Sequence, residues 1–179
     1  MAEEIKIRDA RESDAGAIAG LLDELGYPNT PEFVAGKLGT LGGDENPVFV
    51  AEMNGEVVGF VSSHIMPVFH EEPLYCRVTA VAVTEGRRRR GVGRRLMEHA
   101  EAVARDAGCG RIELTSNERR TWAHAFYETL GYEGTSAREK ARLILNHGVI
   151  TFIMLALRCN NSVPLCVCFS FKTPGKRPY

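Results

Sequence analysis

The chain has 179 residues, room for one domain with a well-buried core and too little for two. With 44% hydrophobic and 25% charged residues it has the balance of a soluble globular protein, which excludes a disordered or membrane-embedded bulk. A formal net charge of -1 excludes a generally basic protein that coats nucleic acid, so a cluster of one sign is a local feature.

The opening MAEEIKIRD carries no apolar segment of signal-peptide length, and the cytoplasm is the expected compartment. After a short strand from Ile5 to Arg8, SDAGAIAGLLDELG predicts a helix capped by Ser13, with Ile18, Leu21, Leu22 and Leu25 on one face and Gly26 as its stop. Thr30 and Pro31 start a second helix, which turns Val34, Leu38 and Leu41 inward before the GGDENP break at 42–47. VFVAEM and EVVGFVSSHI flank Asn54-Gly55, a strong hairpin signal, so two antiparallel strands follow. A loop with Pro67, His70, Glu71, Glu72 and Pro73 then leads to LYCRVTAVAV, a third strand of the same sheet.

Next comes an arginine-rich turn, RRRRGVGRR at 87–95, and a helix with Leu96, Met97, Ala100, Val103, Ala104 and Ala107 at helical spacing, ended by Gly108. RIELTS is a short strand, and Thr121 to Leu130 a helix ending at Gly131. The order strand, turn, helix, strand, helix implies a crossover connection, and the chain reads as an α/β sandwich around a mixed sheet. Beyond about residue 158 Cys, Asn, Pro and Phe replace Ala, Gly, Glu and Arg. VITFIMLAL at 149–157 reads as a last strand, too short to span a bilayer. We expect one domain over 1–158 and an extension over 159–179, for which an added strand, a homodimer contact and a loose tail stay open. The five cysteines lack paired C-x-x-C spacing, so neither a metal nor a disulfide framework is expected.

A turn between a strand and a helix gathers unpaired backbone N–H groups and the positive end of the helix dipole at one spot, where anions bind. Gly91 and Gly93 leave that backbone uncovered, and phosphate is the usual occupant. The P-loop pattern is absent, because no lysine followed by Ser or Thr closes the turn. A dinucleotide fingerprint needs a third glycine where Leu96 stands, although Glu113 lies at the distance its ribose-binding carboxylate requires. A solvated basic helix start is the plain alternative.

Arg88-Arg89-Arg90-Gly91-Val92-Gly93 resembles the R-x-x-G-x-G signature of the GNAT acetyltransferase superfamily, and AVAV just before it looks like the strand that precedes that signature. SNERRTWAHAFYETLGY is similar to the superfamily's second motif, an asparagine before a helix that carries a Phe-Tyr-Glu run and ends in Leu-Gly-aromatic. The likeness covers about residues 4–132, with Arg89 at a position where the family often has glycine. It implies the acyl-CoA N-acyltransferase fold, a mixed, mostly antiparallel central sheet flanked by about four helices.

The same resemblance implies transfer of an acetyl group from acetyl-CoA, as cosubstrate, to a primary amine of a small molecule or peptide. It places the pyrophosphate of CoA on the backbone of Arg88, Arg89, Arg90, Gly91, Val92 and Gly93, and the pantetheine arm against the strand at Val81 and Val83. Flanking arginines such as Arg94 offer donors for a phosphate. Tyr127 matches the position whose phenol protonates the departing thiolate, a placement worth roughly 100- to 10,000-fold; it also reads as a core tyrosine of an amphipathic helix. Asn117 looks like the residue that orients the pantetheine or a water, and reads equally as a turn residue.

An alkyl amine of pKa ~10 is neutral in about one part in a thousand at pH 7, so the acceptor has to lose a proton before it attacks. Some family members place a glutamate on the strand before the turn, where YCRVTAVAV has no carboxylate. Glu113 on the next strand heads the candidate bases, with His64, His70, Glu71, Glu72 and a water chain left open. His124 and Glu128 read as helix-surface residues, and Cys76 and Cys109 as buried small hydrophobes, so direct attack is favoured over an acyl-cysteine. Asp44, Glu45, Glu71 and Glu72 suit a cationic acceptor, or are ordinary solvated loop charges. The alternative of another class is a catalytically silent protein that responds to CoA or acyl-CoA. No nucleic-acid or membrane partner is expected.

Overall fold

Alternation of apolar residues in VFVAEM and EVVGF, joined by Asn54-Gly55, makes a hairpin that organises the sheet. The computed structural model describes residues 4–69, 71–136 and 166–172. They fall in two compact units, one up to Ile112, with Lys172, and one from Glu113 to Phe171.

The first unit contains β1 (Ile5–Asp9), α1 (Ala15–Glu24), α2 (Pro31–Thr40), β2 (Val48–Met53), β3 (Glu56–Val68), β4 (Glu71–Val83) and α3 (Val92–Asp106). Its four strands run antiparallel in sequence order, with Ile5 opposite Met53, Met53 opposite Glu56 and Phe60 opposite Ala82. The β2–β3 turn has the left-handed pair that a two-residue hairpin needs, Asn54 at φ 53° and Gly55 at φ 83°.

Successive strand residues point to opposite faces, and each face has its own cover. On one, Val50 and Phe60 join Ile18, Leu21 and Val34 from α1 and α2, with Ala80 and Ala82 packed alongside. Each large side chain there contributes about 1.5–3 kcal/mol of burial. On the other, Phe49 meets His99 of α3 edge to face at 4.5 Å, and Gly59 lets α3 approach. A Cβ on Gly59 would sit 2.8 Å from the Ala82 carbonyl oxygen and 3.2 Å from Leu96 Cδ1.

The second unit holds β5 (Arg111–Asn117, which starts in the first), α4 (Thr121–Thr129), β6 (Glu133–Ser136) and β7 (Cys166–Lys172). Its strand order is β5-β7-β6, with β6 and β7 antiparallel and Glu133 opposite Ser170. The class is the expected one, α/β with mostly antiparallel strands and four α-helices among the described residues.

Two local expectations are corrected. Ser13 does not cap α1: residues Glu12–Asp14 form a 3-10 turn, and the buried Asp14 carboxylate takes the Arg11 N–H at 2.7 Å. The loop expected at 67–73 is mostly strand, since β3 runs to Val68 and β4 starts at Glu71. Pro67, which has no N–H to donate, falls where the register slips between Met66 and Val68. Within the extension over 159–179, Cys166–Lys172 is a strand, one of the three readings left open. His70 and the strand expected at 149–157 lie outside the described residues. None of the described helices is long and apolar enough to cross a membrane.

Candidate active site

The arginine-glycine turn begins where β4 ends. A 3-10 turn, Glu85–Arg87, is closed by the Arg87 N–H on the Thr84 carbonyl at 2.9 Å, and Arg88 returns to an extended backbone. Arg89 then takes φ 60°, and Gly91 φ 84° as the N-cap of α3. Glycine therefore suits position 89 physically, because a side chain there costs roughly 1–2 kcal/mol in the left-handed region.

Gly91 has no side chain to cap the helix, and the first bond of α3 runs from the Arg95 N–H to the Gly91 carbonyl at 3.0 Å. The N–H groups of Val92, Gly93 and Arg94 have no carbonyl one turn back. A Cβ built on Gly91 would meet nothing within 4 Å, so the space in front of the backbone is open. Val92, 1% exposed, anchors this first turn in the core. The turn can therefore receive an anionic group through backbone donors and the helix dipole.

The arginines divide their work. Arg88 turns back to the Val83 carbonyl and the Glu24 carboxylate. Arg94 lies 3.9 Å from Glu98 one helical turn on, and Arg95 reaches the Ile5 carbonyl at 3.5 Å. Arg89 and Arg90 are exposed at the outside of the turn. Val81 and Val83, half-buried, lie on the last residues of β4 directly before it.

On β5 the buried residues Ile112, Leu114 and Ser116 define one face, so Glu113, half-buried, shares the other with Asn117. Asn117 accepts the Arg119 N–H on Oδ1 at 2.9 Å, an Asx turn at the end of β5. Its carbonyl accepts the Arg120 N–H at 2.9 Å and faces His124 Nε2 at 3.0 Å. A carbonyl can only accept, so His124 carries a proton on Nε2 and ties α4 to the end of β5. It is half-buried rather than a plain surface residue, while Glu128 is exposed as expected.

Tyr127 is 7% exposed on α4, with Phe126 and Tyr132 rings at 5.3 and 6.1 Å. Burial pushes its phenol up to about 12, against a smaller opposing pull from Arg120. The phenol stays protonated throughout the physiological range, the state a proton donor must hold before it acts.

His64 lies within β3, opposite Arg77 of β4, and its Nδ1 contacts Asn46 Oδ1. An amide oxygen only accepts, so Nδ1 is the donor in this contact. Asp44 and Glu45 are exposed in the loop before β2. Cys76 and Cys109 are buried thiols outside any disulfide; desolvation first, and then Cys109 nearby, push Cys76 up to about 11. Neither Glu24 nor Asn46 stood out in the sequence, because both act through partners distant in the chain.

A strand that delivers a glycine turn onto a helix start without a side-chain cap offers an anion a set of backbone donors. The model of the Acetyltransferase (GNAT) family matches residues 18–132, and the chain belongs to that family. It is similar to the aminoalkylphosphonate N-acetyltransferase of Salmonella typhimurium, 35% identical over 85 residues, which are 48% of this chain and 55% of that relative. The match thus spans about half the length of the relative. Among solved structures, the Salmonella typhimurium protein yncA with its cofactor acetyl-CoA superposes with a TM-score of 0.71 at 16% identity, over 97% of this chain and 96% of that one. The aminoglycoside N-acetyltransferase AAC(6')-Iy in complex with CoA gives 0.66 at 18% identity, over 74% and 90%. At these identities both show the shared fold.

Proposed function

We propose that the chain is an acetyl-CoA-dependent N-acetyltransferase that acetylates a primary amine of a small molecule or peptide by direct attack. The observation that carries this reading is the turn itself: Gly91 in the left-handed region opening α3, with no side-chain cap on the helix and open space at the Gly91 Cβ position, in a chain of the GNAT family. The names of the relatives, an aminoalkylphosphonate and an aminoglycoside N-acetyltransferase, support an amine on a small molecule as the acceptor.

In this reading the backbone of Arg88 to Gly93 holds the pyrophosphate of CoA, with Val81 and Val83 offering strand-type hydrogen bonds to the pantetheine. Bound acetyl-CoA supplies the activated thioester. Tyr127 donates the proton that the departing sulfur takes up. Its burial keeps that proton in place, and a sulfur leaving in a desolvated site binds a proton more strongly than in water. Glu113 and His64 are the described candidates for accepting the amine proton, His64 through Nε2, since Nδ1 is engaged by Asn46. The buried, high-pKa thiols of Cys76 and Cys109 are poor nucleophiles, which favours direct transfer.

The test is thiol release from acetyl-CoA with aminoalkylphosphonates, aminoglycosides, polyamines and peptides as acceptors. Acceptor-dependent release supports the reading and names the substrate class. CoA binding without release from any acceptor would favour a silent CoA-responsive protein instead.

A further inference from the structure

The glycine turn supplies donors only if its backbone is held where β4 leaves it, and one carboxylate outside both motifs does that holding. Glu24 is the last residue of α1, the helix that packs Ile18 and Leu21 onto the sheet beside Ala80 and Ala82 of β4. Its side chain meets the β4 exit at three points. Oε1 accepts the Thr84 hydroxyl at 2.8 Å, and Oε2 accepts the Glu85 N–H at 3.0 Å and an Arg88 Nη2–H at 3.3 Å. Arg88 completes the clamp, its Nε–H donating to the Val83 carbonyl at 3.0 Å.

We propose that Glu24 is a positioning residue for acetyl-CoA, fixing the entry of the Arg88–Gly93 turn through Thr84, Glu85 and Arg88, and that the Arg88 side chain serves this clamp rather than a CoA phosphate. The inference rests on the acetyl-CoA reading above. Three properties support it. The contacts bridge α1 and the turn, 60 to 64 residues apart in sequence, so no local preference accounts for them. The carboxylate takes one backbone donor, one hydroxyl and one guanidinium, which fixes both direction and distance. The same clamp spends Arg88 on Glu24 and Val83, while the helix start that no side chain caps lies beyond it, from Gly91 on. Because Glu24 and Arg88 are 36% and 38% exposed, their pairing does little for global stability, and its effect belongs to the local geometry of the turn.

The test is calorimetric CoA binding and acetyl-CoA kinetics on the full chain, with Glu24→Ala, Glu24→Gln, Arg88→Ala and the Glu24→Ala, Arg88→Ala double variant. Glu24→Ala is expected to weaken CoA and raise KM for acetyl-CoA about tenfold, with kcat within about twofold. Glu24→Gln keeps oxygen for Thr84 or Glu85 and is expected to restore most of the affinity, which a general packing defect would not allow. The double variant should bind no more weakly than the worse single one, since both break one clamp. If the wild-type chain binds CoA and Glu24→Ala binds it equally well, the clamp is overturned. Additive losses in the double variant would also overturn it, because Arg88 would then reach the ligand on its own. Should Glu24→Ala not fold, Arg88→Ala and Glu24→Gln decide: undiminished affinity in Arg88→Ala overturns the clamp, and a loss largely spared in Glu24→Gln upholds it. A wild-type chain that binds no CoA would instead overturn the acetyl-CoA reading, and this inference with it.

Discussion

Arg8 grips Asp14 with two parallel hydrogen bonds, Nη1 to Oδ2 at 2.7 Å and Nη2 to Oδ1 at 2.9 Å, and turns its Nε to Glu52 at 2.9 Å. Asp14 is 6% exposed and also accepts the Arg11 N–H, so its lone pairs are well used. Removing Asp14 leaves the part-buried Arg8 with Glu52 alone and takes the acceptor from the Arg11 N–H. Asp14→Ala is expected to lower unfolding free energy by about 2–3 kcal/mol in urea titrations, with the acetyl-CoA KM little changed.

The same contact makes an acid-sensitive strut. The Arg8 guanidinium holds the Asp14 carboxyl below its usual range, more than burial raises it. A depressed folded-state pKa contributes stability that is complete above the ordinary carboxylate range and lost as pH falls toward the folded value. Stability measured from pH 6 downward should therefore fall more steeply for the wild type than for Asp14→Asn; parallel slopes would mean other carboxylates dominate.

Tyr127→Phe keeps the ring among Phe126 and Tyr132 and removes only the phenol oxygen. Its kcat is expected to drop by roughly 100-fold with acetyl-CoA affinity retained. Because burial lifts the phenol to about 12, the wild-type kcat profile should show no alkaline loss from this group below about pH 11.

At Gly91, φ 84° and open space separate two effects. Gly91→Ala meets no clash, so the expected stability loss is only the left-handed penalty of about 1 kcal/mol. The new methyl group stands beside the uncapped amides, and CoA affinity should fall by much more than the melting temperature implies. Calorimetry and thermal unfolding on the one variant make the comparison.

Gly59→Ala tests packing instead. With a Cβ at 2.8 Å from the Ala82 carbonyl oxygen, either β3 or β4 must shift. A destabilisation of about 1–3 kcal/mol is expected by chemical denaturation.

Much of this fold is written locally. The Thr30 cap, which accepts the Phe33 N–H at 3.2 Å, the Asn54-Gly55 turn and the Gly26, Gly108 and Gly131 stops each depend on one or two residues, and each formed as its chemistry predicts. The glycine turn was legible for the same reason. What escaped the sequence was long-range. Glu24 looked like one more polar residue ending a helix, and its partners are more than sixty residues away. Asp14 stands at the start of α1 in place of Ser13, with its carboxylate held by Arg8 from β1, a contact no helix rule contains. The tail composition gave no period from which β7 could be chosen over the other readings.

The place of β1 bears on how the chain acquires its shape. Within its unit β1 is stitched to β2 alone, and two helices lie between them in sequence. The β2–β3 hairpin closes over two residues and can form within microseconds, whereas β1 must wait for a long loop to close around α1 and α2. The Arg8 fork onto Asp14 and Glu52 is therefore a late fastening, and in hydrogen exchange β1 amides should open before those at the centre of β3.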